Sequence, residues 1–362
     1  MIDLRQQLAQ GSTIGILGGG QLGRLLAIAA AELGFDCVVY EPEADCPAGR
    51  VAAHCMNAAW DDLESLAAFA DRVDVITFEF ENVPAASLAF LANKNPIRPG
   101  LKSLQQTQDR YVEKRFLSDL GLKTAPFMAV DSLDSLNRAV AEIGTPAILK
   151  TRTLGYDGKG QIRLRVPEDT AAAWSELKGQ PCVLEGFVPF EREISVIVAR
   201  SGDGSLAAFD VTENVHEDGI LRTSNVPACI SPSVEAEALD AAARISHALE
   251  HVGVLAVEFF VLADGGLIVN EVAPRVHNSG HWTQDGCAAS QFQQHIRAIA
   301  NWPLATSQRL SAQVVMTNLI GHDVDAWAKL SQKDNCFLHL YGKRQVRDGR
   351  KMGHINQLYG LG

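Results

Sequence analysis

Two glutamates in the C-terminal half carry the sharpest chemical signal in this 362-residue chain. Residues 255–262 and 267–272 are apolar runs flanking Ala263-Asp264-Gly265-Gly266, the pattern of a β-hairpin. A turn centred between Asp264 and Gly265 sets Glu258 directly opposite Glu271 on one face, with Cβ atoms about 5 Å apart. Opposed like charges destabilise a hairpin unless something neutralises them. A hard divalent cation such as Mg²⁺, sharing its other positions with phosphate oxygens, does so. The adjacent Phe259-Phe260 argues for burial and against a solvated edge. A bulge in either strand would shift this register by one residue.

A second candidate lies between two short strands at 147–150 and 161–166. Gly155, Gly158 and Gly160 fall within six residues that also hold Asp157 and Lys159. The Gly155-x4-Gly160 spacing suggests a Walker loop, but Gln161-Ile162 stands where Lys-Ser/Thr is required, and a strand follows in place of a helix. The segment reads better as a glycine hairpin that folds over nucleotide phosphates, with backbone N–H groups and Lys159 supplying positive potential.

The third candidate is Gly18-x-Gly20-x-x-Gly23, between a β-branched strand (13–17) and a helical pattern (21–33), with Glu41 ending the next strand. This is a good dinucleotide fingerprint, with glycines approaching a pyrophosphate and an acid meeting a ribose. The same strand–turn–helix hosts other ligands, so the pattern alone leaves NAD, FAD and other anions open.

Three regions must position these groups. Strand and helix alternate through residues 1–108, as in a Rossmann-like parallel sheet. Strands outnumber helices through 109–305, as in an α+β unit, and 306–362 adds a small β-rich region. A net charge of −11 without a basic run argues against nucleic acid. Seven scattered cysteines, with no CxxC, read as reduced thiols. The N-terminal residues do not read as a signal peptide, and no apolar run spans a bilayer. The expectation is a cytoplasmic protein with no membrane partner.

Taken in order, Lys150, the glycine flap, Glu185-Gly186-Phe187-Val188, Glu193 and the Glu258/Asn270-Glu271 hairpin resemble the ATP-grasp superfamily. Within it, IGILGGGQLGR (14–24), TFEFENVP (77–84), TAPF (124–127), LKTRTLGYDGKGQ (149–161), EGFVPFEREIS (185–195), NEVAPRVHNSGHW (270–282) and KMGHIN (351–356) look like the N5-carboxyaminoimidazole ribonucleotide synthetase family. The blocks cover nearly the whole chain.

The resemblance implies ATP and Mg²⁺ as cofactors, bicarbonate and 5-aminoimidazole ribonucleotide as substrates, and a homodimer. It also implies residue roles. Arg110 and Lys150 contact phosphates, and Gly155, Tyr156, Asp157, Gly158, Lys159, Gly160 and Gln161 form the flap over them. The backbone of Glu185 and Val188, with Gly186 and Phe187 between, reads adenine; Glu193 takes the ribose hydroxyls and His216 contacts the nucleotide. Glu258 and Glu271 are the metal carboxylates. Many superfamily members carry Asn two residues after the second glutamate, where this chain has Ala273, so that ligand is either missing or supplied by Asn270. Gln21, Leu22 and Glu79 shape the aminoimidazole pocket. Arg275, Lys343 and Arg350 hold the ribotide phosphate, while Tyr156, Asp157, Lys159, Arg275, His277 and Asn278 surround the reacting centre.

Rival readings are a formate-using glycinamide ribotide transformylase, a nicotinamide oxidoreductase built on Gly18–Gly23, and a non-catalytic ATP-binding scaffold. FEFENVP and KMGHIN count against the first, and the second leaves the flap and paired glutamates unexplained. Retention of Lys150, Glu258 and Glu271 counts against the third. His277-x3-His281 as a zinc pair fails because Asn278-Ser279-Gly280 does not make a helix.

Overall fold

The computed structural model describes residues 7–155 and 158–361. Strands β1 (Thr13–Leu17), β2 (Asp36–Tyr40), β3 (His54–Met56) and β4 (Val75–Phe78) form a parallel sheet in the order β3-β2-β1-β4. β1 and β4 are buried almost throughout, as parallel strands covered on both faces must be. The helix Gln21–Glu32 follows β1, and the Leu63–Ala70 helix is capped by Asp62, which accepts from Ser65 N.

A second, antiparallel sheet has the order β5-β8-β6-β7, from Phe127–Val130 (β5), Ala147–Thr151 (β6), Gln161–Leu164 (β7) and Cys182–Gly186 (β8). The helices Leu133–Ile143 and Thr170–Glu176 bury their apolar stripes with it.

The third sheet is nine-stranded. It comprises β9 (Phe190–Arg200), β10 (Leu206–Ala208), β11 (Thr212–Glu217), β12 (Ile220–Val226), β13 (Gly253–Leu262), β14 (Leu267–Ala273), β15 (Ser311–Ile320), β16 (Cys336–Leu340) and β17 (Lys351–Leu361). Its order is β14-β13-β9-β11-β12-β15-β17-β16, with β10 beside β9. The last three strands therefore continue the central sheet through the β12–β15 pairing.

The two faces of this sheet are separated by the period of two. Leu255, Val257 and Phe259 pack with Ala238, Ala241 and Ile245 of the helix Pro232–Ala248. Val254 and Ala256 point the other way, into a core shared with the helix Gln291–Ile299 and with Leu22, Leu25 and Leu26 of the N-terminal region. Glu258 continues the Val254/Ala256 face. The alternation that builds the core thus also aims this carboxylate toward the N-terminal sheet.

Candidate active site

Glu258 does pair with Glu271. The route to that pairing differs from the one the turn implies. Near the loop the register is Phe259↔Val269, Phe260↔Ile268 and Val261↔Leu267, one residue away from a turn centred between Asp264 and Gly265. An irregularity between Glu258 and Phe259 leaves Asn270 unopposed and restores the glutamate pair. The bulged Asn270 turns its carbonyl to Lys114 Nζ at 2.7 Å.

Burial, and then the charge of Glu271, pushes the Glu258 carboxyl up to about 8. Glu113 is raised to about 8 by the same two causes. Glu258 and Glu271 thus face each other with unrelieved repulsion, which a bound cation would offset. Among the described residues no group of three or more His, Cys, Asp or Glu could hold a metal by itself. Two opposed carboxylates are a sparse, oxygen-only donor set of the kind that would fit Mg²⁺.

His277 Nε2 lies 3.4 Å from Glu258 Oε1. A directed hydrogen-bond chain sets its tautomer. Asn214 Nδ2 donates to Ser195 Oγ (2.9 Å), and Ser195 Oγ donates to Ser279 Oγ (2.8 Å). The Ser279 hydroxyl hydrogen is left for His277 Nδ1 at 2.9 Å, which the Ser279 N–H also approaches at 3.3 Å. Nδ1 is thus an acceptor and the ring proton sits on Nε2, toward Glu258. Burial and the nearby Arg275 hold this imidazole neutral, well below its usual range. Asn278 forms a reciprocal amide pair with Asn318 at 3.0 and 2.8 Å, so it anchors this segment to β15.

Above the carboxylates sits a second charge cluster. Glu185 Oε2 takes Lys150 Nζ at 3.0 Å and Lys114 Nζ at 3.3 Å. Burial opposes ionisation of Glu185, but Lys150 and Lys114 outweigh it and hold the carboxyl at about 2. Glu185 Oε1 is buried and has no hydrogen-bond partner among the described residues. Arg110 donates to the Gly155 carbonyl at 3.1 Å and lies 4.0 Å from Glu271, linking flap and carboxylates. Gly158 and Gly160 adopt φ of 74° and 72°, and Thr151 N–H closes the flap base on Gly160 O at 2.8 Å. Tyr156 and Asp157 lie outside the described residues. Phe187 lies under the Arg163 guanidinium, 4.4 Å from ring centroid to Cζ. On β9 and β11, Glu193 Oε2 meets His216 Nδ1 at 2.7 Å. Burial disfavours the charged imidazole of His216, yet this carboxylate raises its pKa.

The Gly18–Gly23 turn is already full. Gly20 N–H donates to Glu79 Oε1 (2.7 Å), Gly23 N–H to Glu79 Oε2 (3.2 Å), and Gly19 N–H to Glu41 Oε2 (2.8 Å). A Cβ on Gly20 would lie 2.6 Å from Glu79 Oε1, so the glycines admit a protein carboxylate. Glu79 occupies the helix N-terminus where a dinucleotide would put its pyrophosphate, and Glu41 faces the turn instead of a ribose. This overturns the nicotinamide reading.

A cavity of about 290 Å³ opens beside the turn, lined by Gly19, Gly20, Gln21, Glu79, the stacked pair Trp60 and Phe80, Lys343 and Arg350. It adjoins one of about 860 Å³ whose wall carries Arg50, Lys159, Lys343, Arg344, Arg347, Arg350 and Lys351 against Glu43, Asp45 and Asp348. This cationic wall stands out in a chain of net charge −11. Gln21 lines both cavities, whereas Leu22 is 7% exposed and packs in the core. Arg275 reaches Glu81 at 3.1 Å, tying the TFEFENVP loop to the APRVHNSGH segment.

Sequence reasoning passed over Lys114, Glu113, Glu81 and the Ser195–Ser279 chain. The helix Arg110–Asp119 did contain a signal, because Arg110, Glu113 and Lys114 share one face at i, i+3 and i+4. Charged residues on the face that also carries Leu117 mark a buried polar contact.

Comparison with known proteins places the chain among relatives along nearly its whole length. Residues 11–108 match the ribonucleotide synthetase preATP-grasp domain, 115–292 the ATP-grasp domain, and 314–359 the phosphoribosylaminoimidazole carboxylase C-terminal domain. The chain is 51% identical over 356 residues to the N5-carboxyaminoimidazole ribonucleotide synthase of Brucella melitensis biotype 1, covering 98% of each. It is 46% identical to the synthase of Pseudomonas aeruginosa, covering 94% of this chain and 93% of the relative. Among solved structures, an N5-carboxyaminoimidazole ribonucleotide synthetase in complex with ADP superposes with a TM-score of 0.94 at 44% identity, covering 98% of this chain and 94% of that one. The Aspergillus clavatus synthase with ADP and 5-aminoimidazole ribonucleotide gives a TM-score of 0.91 at 30% identity, covering 97% and 95%.

Proposed function

This chain belongs to the N5-carboxyaminoimidazole ribonucleotide synthase family, and on that premise we propose that its three sheets build one ATP-dependent ligase site. The reaction converts 5-aminoimidazole ribonucleotide, ATP and bicarbonate into N5-carboxyaminoimidazole ribonucleotide, ADP and phosphate, a step of purine biosynthesis. The observation that carries this reading is the occupied glycine turn beside a cavity with a cationic wall. That turn shapes a pocket for a small phosphorylated ligand, and Arg275–Glu81 couples it to the Glu258/Glu271 hairpin.

Bicarbonate is a poor electrophile. One of its oxygens attacks the γ-phosphorus of ATP, ADP leaves, and carboxyphosphate forms. Cleavage of the carbonyl C–O bond then releases phosphate and delivers CO₂ to the aminoimidazole amine. Lys150, ion-paired with Glu185, and Arg110 face the phosphates and offset the repulsion among three anionic reactants. The backbone of Glu185 and Val188 reads the adenine, and the ion pairs of the Glu185 carboxylate with Lys150 and Lys114 support that segment. Glu193, steadied by His216, takes the ribose hydroxyls. Glu258 and Glu271 would hold Mg²⁺, which supplies charge neutralisation at the phosphate oxygens. His277 keeps an N–H on Glu258, fixing that carboxylate. Lys343 and Arg350 bind the ribotide phosphate, and the flap with Lys159 excludes water from carboxyphosphate.

The test is ADP release from Mg-ATP with bicarbonate and 5-aminoimidazole ribonucleotide added singly and together. Strong stimulation by the ribotide, with bicarbonate required for the carbamate product, is the expected result. Turnover indifferent to both sends the acceptor assignment elsewhere.

A further inference from the structure

The loop between β2 and β3 forms one wall of the ribotide cavity and holds the glycine turn in place, since Ala48 N–H donates to Gly19 O at 2.9 Å. Cys46 in this loop lines both cavities. Its sulfur lies 3.8 Å from the sulfur of Cys55 on β3. Gly49 packs against both: a Cβ there would come within 2.8 Å of Cys55 Sγ and 3.1 Å of Cys46 Sγ. Neither thiol has a part in the chemistry derived above, yet the fold brings them together at the substrate wall.

The two sulfurs are not equivalent. The Cys55 thiol bonded to Cys46 lowers the Cys46 pKa below the ordinary thiol range despite burial, and Gly49 N–H, 3.4 Å from Cys46 Sγ, adds to this. Cys55 is pushed upward by the same contact and by burial. Cys46, which lines both cavities and receives the Gly49 N–H, is the nucleophile, and Cys55 behind it is the thiol that resolves its oxidised form.

We propose that Cys46 and Cys55 are a modification site, forming a reversible disulfide with a hydroperoxide as oxidant and thereby weakening ribotide binding. The Cys46 thiolate attacks the peroxide, forming an S–O bond and breaking O–O; the departing oxygen leaves as hydroxide or alkoxide and is protonated by solvent. Cys55 then attacks the sulfenic sulfur, forming S–S and breaking S–O, and its proton leaves with the hydroxyl as water. Two thiols are oxidised and one peroxide is reduced by two electrons. A disulfide needs the sulfurs about 2.05 Å apart. Cys55 is held on a strand in register with Val39, so the Cys46 loop makes most of that movement. The shift draws Pro47 and Ala48 off the glycine turn and deforms the pocket wall. The effect on binding rests on the reading of this cavity as the ribotide site, whereas the disulfide itself does not.

The experiment treats the reduced full-length protein with hydrogen peroxide. Non-reduced peptide digests are analysed by mass spectrometry, alongside ribotide kcat/KM and ADP affinity. The expected result is a Cys46–Cys55 cross-linked peptide that appears in step with a fall of tenfold or more in ribotide kcat/KM. ADP affinity is unchanged, and dithiothreitol reverses both effects. Cys55→Ser keeps basal activity but gives no cross-link, and its Cys46 proceeds to the sulfinic acid, which dithiothreitol does not reduce. Oxidation of the exposed Cys229 without any Cys46–Cys55 cross-link overturns the proposal, as does a cross-linked protein of full activity. Untreated protein that fails to bind the ribotide defeats the functional reading instead, and the disulfide is then decided by the cross-linked peptide alone.

Discussion

Gly18–Gly23 and Gly155–Gly160 both follow a short apolar strand, and both read in sequence as phosphate loops. In the first, carboxylates of Glu41 and Glu79 take the N–H groups of Gly19, Gly20 and Gly23. In the second, Gly155 O accepts from Arg110, Gly160 O accepts from Thr151, and the loop lies between β6 and β7 beside the Lys150/Glu185 cluster. Glycine supplies close approach in both places. What approaches is decided by acids and cations from distant parts of the chain. A glycine pattern therefore locates a tight turn, and its long-range partners assign the ligand.

The largest effect that sharpens this comparison is expected at the carboxylates serving the second turn. Glu271→Gln should lower turnover on the order of 10³-fold, the scale of several kcal/mol of charge stabilisation. Its circular dichroism should be unchanged; near-normal turnover would remove the paired-glutamate site. Glu79→Ala and Gly160→Ala set the two turns against each other. The first leaves Gly20 and Gly23 N–H without acceptors, so ribotide kcat/KM should fall about 10²-fold while ADP binding holds, with about 1–3 kcal/mol lost from stability. The second places a side chain at φ 72°, with Cβ 2.7 Å from Thr151 Oγ1. It should lower kcat about tenfold and raise ATP KM without moving ribotide KM. Identical kinetic signatures from these two variants would erase the distinction.

Lys114 offers a stability test. The Lys114 and Lys150 ammonium groups hold Glu185 at about 2 against an ordinary 4.5. A depressed carboxyl stabilises the fold above its unfolded pKa, and that contribution is lost as pH falls from about 4.5 toward 2. Lys114→Met should cost on the order of 3 kcal/mol at neutral pH and flatten this acid limb, measured by urea unfolding at several pH values. An acid limb identical to that of the parent protein would dissociate Lys114 from Glu185. The smallest effect is expected from Ser195→Ala. Removing the donor to Ser279 relaxes the His277 tautomer, so kcat should fall a few-fold with ribotide KM constant, and ¹⁵N NMR should show Nδ1–H emerging on His277. A purely Nε2–H ring in this variant would contradict the relay.

Much of the architecture was legible because its signals are local. The strand at 13–17, the helix from Gln21 and the glycine hairpin between the strands at 147–150 and 161–166 all follow from period and turn residues. The Glu258–Glu271 pair was reached through a turn register that the chain does not use, with the bulge at Asn270 cancelling the one-residue offset. Bulges leave little trace in sequence, so such agreement has to be checked strand by strand. Illegible altogether were contacts across long separations: Lys114 with Glu185, Arg275 with Glu81, and Ser195 with Ser279. A buried lysine has the same composition as a solvated one. Only the fold tells them apart.

The measurement that reaches the centre of this account is the fate of oxygen from [¹⁸O]bicarbonate during turnover with ATP and 5-aminoimidazole ribonucleotide. If bicarbonate attacks the γ-phosphorus, the bridging oxygen of carboxyphosphate stays with phosphorus when the C–O bond breaks. Mass analysis of the released inorganic phosphate should then show one ¹⁸O per carbamate formed. Phosphate free of label, with carbamate still accumulating, would contradict the activation of bicarbonate that this site is proposed to perform.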